Sequence, residues 1–392
     1  MARKPSSAGA LTERDLSRWR LIDDFKERLA QSATPGPGSG TWSDPQRLLA
    51  ATDYLSLFLF GLLNPVVRTM RGLCAASRLE RVQTEVCTRP VSLGSFSEAQ
   101  AVLDPALLGK VFQQLSLELP EDPSRGRPGG RRWLIQDSSL FEALPRMYWA
   151  LWRRQGQAQT QVRLHLSLDV AQDAPARALI TPGRVCERAA WRQLFRRGDG
   201  YVGDRYYGED YQLLGELDEA GVAVVVRLRE EAVLNIEEEL PLSEADRQAK
   251  VIRSAWVRLG SRARDQSIRL RVVWVQTEKE VLRLVTNLTP AELSAGEVAL
   301  LYKQRWQIEI FFRWVKCILD CRHWLAESPE GVAIQIYLAL IAALLLQLYT
   351  GRAPTRRMME LIQFYLLGVA SLEELWAGVK RERAQAARRK KS

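Results

Sequence analysis

Apolar positions along the chain change their period several times, and each change marks a different kind of segment. Leu16, Trp19, Leu21, Ile22, Phe25 and Leu29 recur at helical spacing, which predicts an amphipathic helix. SATPGPGSG (32–40) ends it as a linker or loop, because proline and glycine interrupt helical hydrogen bonding. From Pro45 to about Leu119 the helical intervals return, with a start signal at Ser95–Gln100, SFSEAQ. EDPSRGRPGG (121–130) then breaks the pattern and places a domain boundary near residue 130; its arginines predict a solvated loop.

Beyond that loop the apolar runs become short. RRWLIQDSS, VRLHLSLDV (162–170) and ARALITPG (176–183) read as strands, followed by a helix around Trp191–Phe195 and a strand in GYVGDR (200–205). EDYQLLGELDEAG (209–221) predicts a helix ending at Gly221, and VAVVVRLR (222–229) is a β-branched run suited to a central strand. The order is βββαβαβ. Four further strand candidates, AVLNIEEEL, VIRSAWVRLG, IRLRVVWVQ and VLRLVTNL, fill residues 230–288 as a β-rich insertion, and helical periodicity resumes from Ser294. The fold class expected is therefore α/β, with helical regions at both ends.

The most apolar stretch, Ile334–Tyr349, contains Gln335 and Gln347 and is shorter than the ~20 residues that span a bilayer, so it reads as a buried core helix and no membrane partner is expected. The chain has 392 residues, 46% of them hydrophobic, enough for a substantial core. A net charge of +10 points to polyanionic partners. The surplus concentrates at the end, where Lys380–Ser392 carries seven basic residues against Glu382 alone. Five scattered cysteines and no secretory signal at the start fit a reducing cytoplasm. Cys317, Cys321 and His323 lack the fourth partner of a zinc site and read as ordinary core residues.

Leu300–Leu319, LLYKQRWQIEIFFRWVKCIL, carries the most specific pattern. At ~100° per residue, Tyr302, Arg305, Glu309 and Lys316 share an arc of about 60° along some ~21 Å of helix. Ile308, Phe311, Trp314, Val315 and Ile318 form an apolar stripe on the other side. A carboxylate flanked by cations also describes an ordinary ion-paired helix surface. The gaps are more telling than the residue types: Tyr302-x2-Arg305-x3-Glu309-x6-Lys316 matches the YREK signature of the insertion-sequence-four family of bacterial DDE transposases.

The resemblance extends over roughly residues 75 to 350. GYVGDRYYGEDYQLLGELDEAGVAVVVRLR looks like that family's second-aspartate block, with Asp204 and Arg205 in its places, and RRWLIQDSS is similar to the first-aspartate strand, with Asp137 at its end. What the resemblance implies is an RNase H-like catalytic core in which Asp137, Asp204 and Glu309 hold two Mg2+ ions, for which Mn2+ can substitute. Three acids suit the task, because magnesium is a hard ion held by a few carboxylates and substrate phosphates, and two such ions clamp an in-line displacement at phosphorus. Tyr302, Arg305, Lys316 and Arg205 would contact double-stranded DNA, the transposon ends and the target. Some relatives place a Trp on the last strand of the insertion to stack on a flipped base; here Leu282 falls near that position, with Trp256 and Trp274 as other candidates.

The expected organisation is a helical end-recognition region (1–130), the first part of the core (131–229), the β-rich insertion (230–290), the remainder of the core (291–350) and a basic helical region (351–392) that mediates a homodimer. A cut-and-paste transposase acting in the bacterial cytoplasm, on the nucleoid, is the expected function. A catalytically silent DNA-binding protein and a metal-dependent nuclease without strand transfer are the alternatives.

Overall fold

The computed structural model describes residues 20–32, 49–64, 66–122, 125–154, 157–260, 268–319 and 324–389. The chain divides into two compact units, Met1–Leu119 with Phe141–Val162 and Arg313–Ser392, and Pro120–Leu140 with Arg163–Phe312. The change of unit near the first break thus comes at Pro120, ahead of residue 130, and the chain returns twice to the first unit. Periodicity cannot show such a return, because it reports which face of an element is buried and not what buries it.

The first unit is helical. It contains α1 (Arg20–Ser32), α2 (Ala51–Leu63), α3 (Met70–Ala76), α4 (Glu80–Glu85), α5 (Leu93–Val102) and α6 (Ala106–Glu118). From the far end of the chain come α12 (Pro329–Thr350), α13 (Arg356–Leu366) and α14 (Leu372–Arg389). α12 is its axis. Ser328 caps its start by accepting from Gly331 N, Pro329 occupies the first turn, and Gly351 closes it at φ 69°, each suited to a helix terminus. By length and composition α12 could cross a membrane, but 83% of its most apolar window is buried, packed against α2, α5 and α6. The same unit contains the antiparallel pairing of β2 (Leu151–Arg154) with the start of β3 (Gln157–Asp169).

The second unit is built on a sheet. Its strands are β1 (Trp133–Glu142, as far as Leu140), the rest of β3, β4 (Ala174–Pro182), β5 (Gly200–Gly203), β6 (Ala223–Arg227), β7 (Leu234–Glu239), β8 (Val251–Leu259), β9 (Arg269–Gln276) and β10 (Val281–Thr286). Their order is β3–β1–β5–β6–β10–β9–β8–β7, with β4 also pairing β3. β1, β5 and β6 run parallel; α7 (Glu187–Leu194) leads from β4 into β5, and α8 (Tyr211–Glu219) joins β5 to β6. Those helices bury Trp191, Leu213, Leu214 and Leu217 together with Leu134, Tyr201, Val224 and Val226 of the strands. The mixed α/β class expected from the sequence is the one observed, a large central sheet with flanking helices.

The β-rich stretch is continuous with this sheet, since β10 pairs antiparallel with β6 at Leu284↔Arg227 and Val285↔Val226. It is therefore an extension of the core sheet and not a separate layer. α9 (Glu244–Gln248) ties it to the next helix, α10 (Ala295–Gln304): buried Asp246 caps its own helix through Ser243 and accepts from Gly296 N at 2.6 Å. Ser294 and Glu297 form a second capping box at the start of α10. The insertion thereby fixes where the Tyr302 helix begins.

Candidate active site

Parallel pairing sets the two aspartates side by side. β1 and β5 are matched at Leu134↔Tyr201 and Ile135↔Val202, so two residues further the same register brings Asp137 level with Asp204. Neighbouring strands lie about 4.8 Å apart, and level residues of parallel strands point to the same side. Asp204 follows the last residue of β5, whereas Asp137 is the fifth of ten residues in β1. The expectation that Asp137 ends its strand is corrected here: Ser138–Glu142 continue in β conformation because β3 pairs along β1. β6 extends the row, since Gly203↔Val226 pairing places Arg227 level with Asp204.

Local hydrogen bonds orient both carboxylates. Asp137 Oδ1 accepts from Ser138 N at 2.7 Å, and Asp204 Oδ1 from Tyr206 N at 2.9 Å. Burial, with the charges of Asp204 and Glu187 added, pushes the Asp137 carboxyl up to about 7, against the opposing pull of its Ser138 hydrogen bond and of Arg305. A carboxyl so placed is protonated half the time near neutrality unless a cation joins it. The site's electrostatics ask for positive charge.

The helix expected over Leu300–Leu319 is two helices, α10 and α11 (Trp306–Leu319), meeting at Arg305. Arg305 N bonds Tyr302 O at 3.0 Å and Ile308 N bonds Arg305 O at 3.3 Å, both three-residue steps. This local 3₁₀ tightening eclipses residues i and i+3. Arg305 consequently lies 5.9 Å from the centre of the Tyr302 ring and donates to Glu309 Oε1 at 2.7 Å. The apolar stripe is as expected, with Ile308, Phe311, Trp314, Val315 and Ile318 all buried.

Residues 128–345, more than half of the chain, match the family described as Transposase DDE domain. The chain belongs to that family of DDE transposases. It is 28% identical over 292 residues to a putative transposase, y4zB, of Sinorhizobium fredii, covering 73% of this chain and 79% of that one. It is 24% identical over 320 residues to a putative transposase for insertion sequence element IS4SA of Synechocystis, covering 78% and 83%. The cryo-EM structure of the piggyBac transposase synaptic complex with hairpin DNA aligns over 95% of this chain and 79% of that one, at 10% identity and a TM-score of 0.43.

Of the transposase residues singled out from sequence, Asp137, Asp204, Tyr302, Arg305 and Glu309 all belong to the sheet unit. Asp137 feels the charges of Asp204 and Arg305, and Tyr302 those of Arg305 and Asp204. Arg205 is exposed immediately after Asp204. Lys316 belongs to the helical unit, exposed near the end of α11, with its ammonium 5.6 Å from the Phe141 ring centre. Arg227, which sequence reasoning missed, is level with Asp204 and pairs with Glu280 at 2.6 Å. Only its strand register reveals it.

Several expectations are revised. The arginines of the 121–130 loop are engaged within the protein: Arg125 donates to Val170 O, Gln307 and Asp173, and Arg127 pairs with Glu121. Gln307 lies between Arg305 and Glu309 in sequence, so Arg125 braces the start of α11. Trp256 and Trp274 are each roofed on one face by a guanidinium, Arg269 and Arg253, at 4.7 Å from the ring centres. Leu282 instead lines a groove of about 580 Å³ with Tyr302, Arg305 and Trp306, and Trp306 is 53% exposed. Cys321 and His323 lie outside the described residues; Cys317 is exposed and not in the core.

Glycine at 208 is a condition of the site. A Cβ there would stand 2.1 Å from Arg227 O, so the turn after Asp204 packs directly on the backbone of the Arg227 strand. Gly208→Ala forces one of them away; overpacking of this kind costs about 1–3 kcal/mol. The expected outcome is a lower melting temperature together with reduced DNA cleavage, and wild-type values for both would refute the tight packing.

The acidic donors are of the type a hard divalent ion takes, and the uncompensated burial of Asp137 beside Asp204 fits such an ion. Among the described residues no group of three His, Cys, Asp or Glu converges as a preformed metal cage. Glu309 is instead paired with Arg305 at 2.7 Å.

Proposed function

We propose that this transposase cleaves the ends of its element and joins them to target DNA by phosphoryl transfer at a centre formed by Asp137, Asp204 and Glu309. The observation that carries the reading is the level placement of Asp137 and Asp204 on adjacent parallel strands, with the Arg305–Glu309 pair on the helices that follow. Two Mg2+ ions, or Mn2+ in their place, held by these three acids would activate the attacking oxygen and stabilise the leaving one.

The other roles belong to the chain itself. Arg305, now engaged by Glu309, exchanges that carboxylate for a DNA phosphate, which leaves Glu309 available to the acidic centre. Tyr302, Arg205 and Lys316 contribute hydrogen bonds and positive charge to the backbone of double-stranded DNA, contacts that position the scissile bond without reading sequence. Trp306, exposed in the groove beside Tyr302, serves as a stacking aromatic where the insertion has Leu282. The N-terminal helices recognise the element ends, and the basic C-terminal helix, α14, mediates a homodimer on DNA in the bacterial cytoplasm, at the nucleoid.

The test is incubation of the purified chain with DNA carrying the element's ends, a target duplex and Mg2+. Wild type is expected to give both nicked ends and joined product. Removing even outer partners of metal ligands costs about 10–100-fold, so Asp204→Asn is expected to lose both products by at least about 100-fold. Nicked ends without joined product from the wild type would favour a nuclease, and undiminished products from Asp204→Asn would sink the proposed centre.

A further inference from the structure

A third carboxylate stands close to the two aspartates and has no role in the centre described above. Glu187 is the first residue of α7. Its Oε1 accepts from Ser138 Oγ at 2.7 Å and from Arg163, and Arg163 Nη1 reaches Ser138 Oγ at 3.1 Å. Ser138 N is the donor that orients Asp137. An unbroken path therefore runs from Glu187 through one serine to the carboxylate of Asp137.

An Arg–Glu pair between a strand and a helix would by itself be an ordinary brace. Two observations set this one apart. The pair closes on Ser138, next to Asp137, instead of on a remote surface. In addition, the Tyr207 hydroxyl is fully buried and has no hydrogen-bond partner. The charges acting on it are those of Glu187, Asp137, Asp204 and Arg163. A buried phenol left without a partner among three carboxylates is costly, and it marks a place where a further polar group completes the hydrogen bonding. The Tyr207 ring packs edge-on against Trp191, with centroids 4.1 Å apart, which holds the hydroxyl oxygen in place.

We propose that Glu187 is a fourth carboxylate of the acidic centre, a positioning residue that acts on Asp137 through Ser138 and sets how tightly the centre takes a divalent cation. Its negative charge adds to the field at Asp137 and Asp204, and its bond to Ser138 holds the β1 segment that presents Asp137. Tyr207 supplies a fixed donor toward water or carboxylate oxygen within the same enclosure. The inference rests on the reading of Asp137 and Asp204 as the metal-holding pair, and it extends that reading to residues absent from the three-acid signature.

The experiment is calorimetric titration of the purified full chain with Mn2+ in the absence of DNA, for wild type, Glu187→Gln, Asp137→Asn and the remote surface variant Glu239→Gln. Glu187→Gln preserves an acceptor for Ser138 and removes the charge. Loss of a group supporting a metal ligand weakens affinity by about 10–100-fold, so its Kd for Mn2+ is expected to rise by at least about 10-fold, with Glu239→Gln unchanged. Melting curves report folding, and Glu187→Asp, which restores the charge, is expected to recover part of the affinity. If Glu187→Gln binds Mn2+ as wild type does while Asp137→Asn does not, Glu187 is a structural brace and the proposal is overturned. If Asp137→Asn also binds normally, the assignment of the centre itself fails.

Discussion

Replacing Asp137 with asparagine will stabilise the metal-free protein at pH 8 while abolishing DNA cleavage. The physical cause is the cost of holding an ionised carboxylate in a recess it shares with Asp204. The carboxyl rises from an ordinary 3.8 to about 7 in the folded protein, so the native state holds a proton that the unfolded chain has already lost. Stability from this group is complete below pH 4, declines as pH rises from about 4 to about 7, and is gone above that. Each unit is about 1.4 kcal/mol; with solvent access to the recess allowed for, ~2 kcal/mol is a reasonable size for the effect. Thermal denaturation of wild type and Asp137→Asn in a chelator, at pH 5 and pH 8, measures it. The advantage of the variant should be larger at pH 8, and Mg2+ should raise the melting temperature of wild type but not of Asp137→Asn. A gap that does not widen with pH would refute the desolvation argument.

Glu309→Gln is expected to separate activity from stability in a different way. Its observed partner is Arg305, one helical turn away, at 2.7 Å, and such pairs contribute only about 0.3–0.5 kcal/mol. The melting temperature should therefore stay close to wild type at every pH, while cleavage of end DNA falls by at least about 100-fold, more than the loss of a supporting group causes. Cleavage within about threefold of wild type would remove Glu309 from the centre. The two variants are thus expected to carry opposite signatures: ionised Asp137 opposes folding, and Glu309 is nearly neutral to it.

The three acids differ in how far the sequence marks them. Glu309 stands out as a candidate, because Tyr302, Arg305 and Lys316 stand at helical intervals from it and the apolar stripe behind them is strict. That periodicity fixed the buried face of α11 correctly. It did not reveal the break at Arg305, since a change of one residue from α to 3₁₀ hydrogen bonding leaves the sequence pattern almost untouched. Asp204 was legible as a strand end before a helix. Asp137 is a candidate by its order in the chain alone, and its place in mid-strand is hidden because Ser138–Glu142 lack the apolar run by which strands announce themselves.

What the sequence determined by itself are the local elements, since side-chain periodicity, capping residues and turn glycines act over a few residues. The succession of strands and helices along the chain, the start of α10 at Ser294 and the core helix α12 are all encoded in this way. What only the tertiary structure decided is which distant residues share a row. The level placement of Asp137, Asp204 and Arg227 arises from strand register, the bond from Glu187 to Ser138 from the packing of α7 beside β1, and the engagement of Arg125 with Gln307 from a loop folding back on a helix 182 residues away in sequence. Such contacts depend on backbone pairing and shape, which leave no periodic trace in a single chain. The candidate acids could be named from the sequence; the burial and like-charge crowding around Asp137 could not.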